Sequence, residues 1–245
     1  MVKITPFRLR QVIIQHAAFH ARRIPVLRRR LEQGFAADLR YLHDTLERTE
    51  LRGRYWVWSG LLLGWAREGA ILAHDSMDGD FAVDDRDFHL LARSVPALEE
   101  AGFSTNRCFV NNEGVITELT FSRHGNHFDF FRMFPDGDDF RYFMYSIGLN
   151  EILEFEASVP RQAAKVPFSF IGRTWLKQED HERELRAMYG SWRIPDPTWS
   201  YLNAPDIVAR RVSRHRHFDW PGGARDLPPE LLSPSSVGVD EPNRR

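Results

Sequence analysis

Two aspartates separated by a single residue, Asp78 and Asp80, stand at the start of an apolar stretch. The stretch has the pattern of a β-strand, so both carboxylates should leave the same face. Phe81 and Val83 point to the opposite face and give the strand a buried side. Carboxylates this close repel each other, and a divalent cation would neutralise them. The pair therefore predicts a metal site suited to phosphoryl transfer.

A third acid, Asp129, lies inside an aromatic segment, His127 to Phe134, whose alternation also predicts a strand. Phe128 and Phe130 flank it on the opposite face. An acid in such a run is costly to bury unless a cation or a hydrogen-bond donor meets it. Asp129 is therefore predicted to be a metal ligand or the general base. The predicted catalytic and metal-ligating residues are Asp78, Asp80 and Asp129, with Mg²⁺ as the expected cofactor and Mn²⁺ as its alternative.

A Ser-Gly pair, Ser59 and Gly60, precedes the acids and is predicted to form a turn that opens a short helix. Backbone N–H groups at a helix start favour phosphate oxygens, and a glycine there lets a phosphate approach closely. The tryptophan before the pair, Trp58, has two interpretations: it stacks on a base or sugar, or it belongs to the core. Both interpretations stay open at the level of sequence.

Composition limits the class of protein. With 245 residues, 42% hydrophobic and 13% aromatic, the chain can bury one sizeable core, which indicates one catalytic domain. Its 33 basic residues almost balance 34 acidic ones, which argues against nucleic acid as a partner. A single cysteine, Cys108, excludes an internal disulfide and a cysteine-rich zinc module. The preference for arginine over lysine is typical of a GC-rich bacterial genome.

The elements around the acids are predicted from periodicity. An amphipathic helix runs from Leu31 to Leu46 and ends before Gly53, and a second helix runs from Phe88 to Leu98. A hairpin turning at Gly125-Asn126 should pair two strands. The hairpin strands, the later strands and a final polar helix are predicted at Val115 to Ser122, His127 to Phe134, Arg141 to Ile147, Ile152 to Glu156, Pro167 to Ile171 and Lys177 to Tyr189.

The two ends of the chain differ from the middle. Residues 1–30 form a predicted basic helical arm, which either rests on an anionic membrane surface or is a solvated helical face. No stretch near it is long enough for a spanning helix, so we expect a cytoplasmic protein, with the inner face of the membrane as the alternative. Residues 31–197 form the predicted catalytic domain. Residues 198–245 form a predicted extension that is largely disordered from residue 221.

Three blocks of the sequence resemble the LicD and fukutin-related family. SGLLLGWAREGAILAHDSMDGDFAV, at residues 59–83, resembles the family's signature block of a glycine, a Leu-Leu-Gly helix start, an arginine and an acid-rich strand. HFDFFRMFPD, at residues 127–136, resembles its second strand, and LRAMYGSWRIPDP, at residues 185–197, resembles its closing block. The resemblance implies an α+β fold, with a nucleotidyltransferase-like mixed sheet flanked by helices.

The resemblance also assigns residues. Asp78, Asp80 and Asp129 match the acids of the metal site, and Arg67 matches an arginine suited to bind a diphosphate. Asp75 matches an earlier acid, but one extra residue before Asp78 breaks the family's spacing. Leu61 stands where the family usually has a small hydroxyl residue. The predicted substrate-binding residues are Trp58, Ser59, Gly60, Arg67 and Asp75.

Three functions follow as hypotheses. The first, which the resemblance implies, is a phosphotransferase that moves a phosphorylated small alcohol from a CDP-linked donor to a hydroxyl of a glycan or glycolipid acceptor. The second is a nucleotidyltransferase that adds a nucleotide to a small molecule or a protein. The third is a non-catalytic relative that only binds ligand, suggested by the displaced Asp75 and by Leu61.

Overall fold

The computed structural model describes residues 25–72, 77–148, 151–214, 218–219 and 227–233. Its α-helices are α1 (Pro25–Leu46), α2 (Ser59–Glu68), α3 (Phe88–Glu100) and α4 (His181–Tyr189). Its strands are β1 (Tyr55–Val57), β2 (Asp78–Asp84), β3 (Ser104–Val110), β4 (Ile116–Arg123), β5 (Asn126–Asp136), β6 (Asp139–Ile147), β7 (Ile152–Pro160), β8 (Lys165–Phe170), β9 (Arg173–Gln178), β10 (Ile207–Val212) and β11 (Phe218–Asp219). Short 3-10 helices lie at Asp85–Asp87, Tyr201–Asn203 and Pro229–Leu232.

Nine of the described strands form one mixed sheet. Its order is β10-β7-β6-β5-β4-β3-β11, with β2 also paired to β5 and β1 paired to β2. Strands β2 and β5 run parallel, and the other paired strands run antiparallel. Strands β8 and β9 form a separate two-stranded sheet. This confirms the predicted α+β class with a mixed central sheet.

Alternation along the central strands divides the buried side chains between two apolar cores. On β2, Phe81 and Val83 enter the larger core and Ala82 enters the smaller one. On β5, Phe130 joins the larger core and Met133 the smaller. Because side chains alternate between faces, Asp78 and Asp80 share the face of Ala82. The acids therefore lie opposite the larger core, as the sequence predicted.

Helix α1 covers the larger core directly behind the two acids. Phe35, Leu39, Leu42 and Leu46 are all fully buried, which confirms the predicted amphipathic helix. A Cβ atom on Gly79 would lie only 3.3 Å from Phe35 Cζ and from Leu39 Cδ2. Glycine between the acids thus lets the helix approach the strand closely, and each buried Phe or Leu stabilises this contact by about 1.5–3 kcal/mol.

The β4–β5 hairpin forms as predicted, with its turn one residue earlier. Arg123 pairs with Asn126, which leaves His124 and Gly125 as the two turn residues. Their φ angles of 50° and 88° are both positive, as a type I′ turn requires. Asn126 begins β5 instead, and its side chain donates to Asp38 Oδ2 over 2.7 Å.

The final helix begins later than predicted. Lys177 and Gln178, predicted to be helical, end strand β9, and α4 begins at His181. Asp180 sets this start because its carboxylate accepts a hydrogen bond from the Arg183 N–H over 3.1 Å. The sequence did not predict strands β3, β9 and β10. In these segments apolar and polar residues alternate too weakly, or too many residues are charged, to indicate a strand.

The described parts of the chain ends are attached to the domain. Of the predicted basic arm, residues 1–24 lie outside the described residues, and residues 25–30 begin α1. In the predicted extension, β10 pairs with β7. Leu227 and Leu231 are buried in the larger core, so the predicted disorder from residue 221 does not extend to these two leucines. No helix among the described residues is long and apolar enough to cross a membrane.

A buried carboxylate joins α1 to the hairpin. Asp38, 3% exposed, accepts hydrogen bonds from Arg123 Nη1 at 2.9 Å, Asn126 Nδ2 at 2.7 Å and His124 Nδ1 at 3.1 Å. Removing one member of a buried ion pair leaves the other charge unpaired and costs several kcal/mol. Asp38 therefore fixes the helix that lies behind the acids.

We predict that Asp38→Ala lowers the free energy of unfolding by about 3 kcal/mol, measured by urea denaturation. The matched control is Asp44→Ala on the same helix, which removes a partly exposed pair with Arg173 and should cost about 1 kcal/mol or less. Equal losses in the two variants would contradict the role given to Asp38.

Candidate metal centre and active site

Three carboxylates meet on one face of the sheet. One oxygen from each of Asp78, Asp80 and Asp129 lies within 4.8 Å of the others. The parallel register explains this, because Asp80 is the pairing partner of Asp129 and Asp78 is that of His127. The structure thus brings together all three predicted metal ligands, although Asp129 lies about fifty residues after Asp78 and Asp80 in the sequence.

The carboxylate of Asp80 is held by the start of helix α2. The Gly60 N–H donates to Asp80 Oδ2 over 3.2 Å, and the Trp58 N–H donates to the Asp80 carbonyl oxygen over 3.0 Å. Between them Ser59 has a φ of 49°, a strained backbone conformation for a residue with a side chain. The Gly60 N–H, predicted to meet a phosphate, therefore orients a predicted metal ligand.

The donor set fits a divalent cation. Asp129 Oδ1 is buried and has no hydrogen-bond partner. An unpaired buried carboxylate oxygen is costly, and a bound cation would remove that cost. Carboxylate oxygens are also the ligands that Mg²⁺ and Mn²⁺ prefer. The residues present are therefore those expected to hold such an ion.

A fourth acid, Glu118, lies beside the cluster and was missed by the sequence analysis. It is 5% exposed, and Thr120 Oγ1 donates to its Oε1 over 3.2 Å. Burial and the negative charge of Asp129 raise the pKa of Glu118 well above its usual value. The predicted hairpin could have revealed it, because pairing across the turn sets Thr120 opposite Asp129 and Glu118 two pairs further on, on the same face.

A basic side chain completes one row across the sheet. Asp80 pairs with Asp129, Asp129 with Thr120, and Thr120 with Arg107. Among the described residues no carboxylate forms an ion pair with Arg107, whose guanidinium lies 5.6 Å from the centre of the Phe109 ring. Two acids, a hydroxyl and a guanidinium therefore lie in order over four strands.

His127 has a structural partner beside the acids. Asn106 Nδ2 lies 3.1 Å from His127 Nδ1 and can only donate to it, so the ring proton is on Nε2. Burial lowers the pKa of His127, partly offset by Asp129. The group of carboxylates that could hold a metal does not include this histidine.

The segment after α4 borders the site. Ser59 Oγ lies 3.1 Å from Tyr189 Oη, and the Tyr189 ring lies 4.6 Å from that of Trp199. Trp199 remains 37% exposed. Tyr189 belongs to the closing block, residues 185–197, that resembles the family. This resemblance was the one feature of the sequence that could have indicated a position near Ser59.

Two predicted substrate contacts lie elsewhere, and a third is not described. Trp58 is 1% exposed and packs edge-on against Tyr142 and Phe131, with ring centres 4.5 and 5.3 Å away. This supports its interpretation as a core residue, since a base or sugar has no access to a covered ring. Arg67 contacts its neighbour Glu68, and no described contact joins it to the carboxylates. Asp75 lies outside the described residues.

A buried pair supports the core beneath Trp58. Tyr142 donates its hydroxyl hydrogen to Asp206 Oδ2 over 2.5 Å, and Asp206 Oδ1 is buried with no partner. Burial raises the pKa of Asp206 to about 6. The carboxylate therefore carries a charge at neutral pH in a place that disfavours it.

The fold and the acids define a class of protein. A mixed sheet flanked by helices, with acids gathered on neighbouring parallel strands, is the arrangement predicted for a nucleotidyltransferase-like domain. Residues 52–171 match the family described as LicD/FKTN/FKRP, nucleotidyltransferase domain. The match confirms the resemblance to this family over these residues. No curated protein and no solved structure matches the chain. A domain of this family indicates a transferase with a role in phosphotransfer or glycan modification.

We predict that Asp129→Asn stabilises the metal-free protein by about 1–2 kcal/mol, because it removes repulsion among clustered carboxylates. The same variant should lose the added stability that the wild type gains from Mg²⁺. Urea denaturation in EDTA and in Mg²⁺ measures both effects. Asp136→Asn, an exposed site on the same strand, is the control and should change neither. Destabilisation of Asp129→Asn in EDTA would contradict the repulsion argument.

We predict a pH-dependent gain in stability for Asp206→Asn. The folded pKa of about 6 lies above the model value of 3.8, so Asp206 favours folding at low pH and loses that contribution as pH rises through about 6. The stability of the variant relative to wild type should therefore grow from pH 4 to pH 7 and stay constant above, by about 2–3 kcal/mol in all. Urea denaturation across this range measures the difference, and a constant difference would refute it.

Proposed function

We propose that the protein is a Mg²⁺-dependent phosphotransferase. It moves a phosphorylated small alcohol, of the phosphocholine or alditol phosphate type, from a CDP-linked donor to a hydroxyl of a cell-surface glycan or glycolipid. The observation that carries the proposal is the cluster of Asp78, Asp80 and Asp129 inside the family's nucleotidyltransferase domain. The family match supports the class of reaction, and the chemistry of the donor set supports the metal.

The proposed step is a single displacement at phosphorus. The acceptor hydroxyl oxygen bonds to the phosphorus that carries the alcohol, and the bond from that phosphorus to the bridging oxygen breaks. CMP leaves with the electron pair of that bond. Asp78 and Asp80 would hold Mg²⁺, which when bound neutralises charge on the leaving phosphate. Asp129 is the third ligand or the base, and as the base it takes the proton of the attacking hydroxyl.

Arg107 is the basic group best placed to meet the donor's phosphates. It stands in the same row as Asp80 and Asp129. Among the described residues it forms no ion pair, and its charge also acts on the buried Glu118. A guanidinium binds phosphate oxygens through two parallel hydrogen bonds. Thr120, between Arg107 and Asp129, adds a hydroxyl to the row. We therefore propose Arg107, and not Arg67, as the arginine that binds the diphosphate of the donor.

The proposed partners follow from the reaction. The donor is a nucleotide and the acceptor is a glycan or glycolipid, and the net charge of −1 does not suit a nucleic acid partner. The proposed location is the cytoplasm. Contact of the basic residues 1–30 with the inner face of the membrane would bring the enzyme to a lipid-linked acceptor. Deleting residues 1–30 should then reduce binding to anionic liposomes.

We predict that CDP and CDP-linked alcohols bind in the presence of Mg²⁺ and not in EDTA, measured by calorimetry. Asp78→Asn/Asp80→Asn should weaken this binding at least about 100-fold, since removing the metal's own ligands should cost more than removing the groups that orient them. Asp136→Asn is the control, because it makes the same chemical change at an exposed position on β5. Binding that is equally strong in EDTA would count against the metal-dependent site.

Product analysis with a donor labelled in each half separates the proposed function from its alternatives. The phosphotransferase leaves the alcohol phosphate on the acceptor and releases CMP. A nucleotidyltransferase leaves the nucleotide on the acceptor and prefers nucleoside triphosphates. Metal-dependent binding without any product, over the acceptors tried, would favour a family member that only binds ligand.

A further inference from the structure

A cleft of about 120 Å³ lies away from the carboxylate cluster, between the start of β1, the end of β2 and the loop joining β7 to β8. We call it the basic cleft because four cationic residues line it, together with three aromatic ones. They are Arg54, Arg86, Arg161, Lys165, Tyr55, Trp56 and Phe140. Such a combination of cations in one concave site is suited to an anion.

Two of the four cations already have acidic partners. Arg86 Nε lies 3.5 Å from Asp84 Oδ1, and Arg54 Nη1 lies 3.7 Å from Asp87 Oδ2. Arg161 and Lys165 have no carboxylate within 4.0 Å among the described residues. The basic cleft therefore keeps uncompensated positive charge on the side formed by the β7–β8 loop.

Lys165 is positioned with spare hydrogen-bonding capacity. Its ammonium nitrogen lies 4.3 Å from the centre of the Trp56 ring and donates one hydrogen bond to the Gln162 carbonyl oxygen over 3.2 Å. An ammonium has three N–H donors, so two remain for a ligand. Burial lowers the pKa of Lys165, as expected for a partly buried cation without a close counter-ion. An anionic ligand would favour the charged form.

The nearest buried acid does not neutralise this lysine. Glu184 is fully buried, accepts a hydrogen bond from Gln178 Nε2 over 3.0 Å, and acts on the lysine electrostatically. Burial raises the pKa of Glu184 to about 8. Among the described residues no hydrogen bond or ion pair joins Glu184 to Lys165, so the ammonium group keeps donors for a ligand in the cleft.

The basic cleft is separate from the carboxylate cluster. Asp84 lies at the opposite end of β2 from Asp78, and the four residues from Asp80 to Asp84 span about 13 Å of strand. Trp56 and Trp58, 3% and 1% exposed, fill the same face between the two sites. A ligand in the cleft therefore does not reach the carboxylates through this core.

We propose that the basic cleft binds a phosphate-type oxyanion, held by Arg161 and Lys165. The ligand is a phosphate group of either a soluble phosphate ester or a phospholipid head group. Arg161 supplies a planar pair of donors from the loop, and Lys165 supplies its two remaining N–H groups from the wall. The proposal does not depend on the reaction assigned to Asp78, Asp80 and Asp129.

Calorimetry of the full chain in EDTA at neutral pH tests the proposal, with inorganic phosphate as one probe. Phosphatidylglycerol vesicles, compared with phosphatidylcholine vesicles, are the other. Arg161→Gln and Lys165→Met should each weaken binding about tenfold or more, because each removes charge-assisted hydrogen bonds. Methionine keeps much of the apolar stem on Trp56. Arg48→Gln, at another exposed arginine, is the matched control and should bind as wild type does.

Two further readouts locate the ligand. Trp56→Phe should remove the tryptophan fluorescence change on binding while leaving saturable calorimetric heat, because Lys165 sits on that ring. Asp78→Asn/Asp80→Asn should leave phosphate binding unchanged, which separates this site from the proposed active site. Saturable binding of phosphate alone identifies a soluble ester. Binding of the anionic vesicles that Arg161→Gln and Lys165→Met weaken identifies a head group, because vesicle binding through residues 1–30 would be the same in these variants and in the wild type. No saturable binding of either probe, or equal binding by Arg161→Gln, Lys165→Met and Arg48→Gln, would overturn the proposal.

Discussion

The in-register parallel pairing of β2 with β5 is the constraint on which the rest of the structure depends. It sets Asp80 beside Asp129 on one face and Phe81 beside Phe130 on the other. The two phenylalanine rings stack with centres 5.0 Å apart, so a change of register by one residue would bury the acids and expose the rings. Apolar packing on one face therefore fixes the distance between charges on the other.

That arrangement has an electrostatic cost, which the surroundings only partly offset. Asp80 receives the Gly60 N–H, and Glu118 receives the Thr120 hydroxyl, yet Asp129 Oδ1 is buried without a partner. Like charges gathered in a partly buried place destabilise the fold, and the deep aromatic core behind them supplies the compensating stability. A site that is unfavourable without a cation is one that a cation would bind strongly.

The sequence was sufficient for the features that depend on local periodicity. Alternation set Asp78, Asp80 and Asp129 on the strand faces opposite the larger core, and the hairpin was found with its turn displaced by one residue. The β2–β5 pairing could not be predicted from pattern, because it joins strands separated by a helix and two other strands. Arg107 was missed with strand β3, whose ladder to β4 is interrupted by register shifts on either side of it. The role of Trp58 stayed open because the sequence around an aromatic residue next to a site does not show whether the ring binds a ligand or packs in the core.

One face of the sheet therefore carries two regions of opposite charge. Acids gather where β2 begins, cations gather beyond its end, and buried aromatic rings, among them Trp56 and Tyr142, fill the space between. The apolar layer keeps the two charged regions apart, because cations in direct contact with the clustered carboxylates would pair with them. The paired Asp84 and Asp87 already show the result, since they hold Arg86 and Arg54 at their own end of the strand. The core between the regions thus keeps the charges of the candidate metal centre available for a ligand.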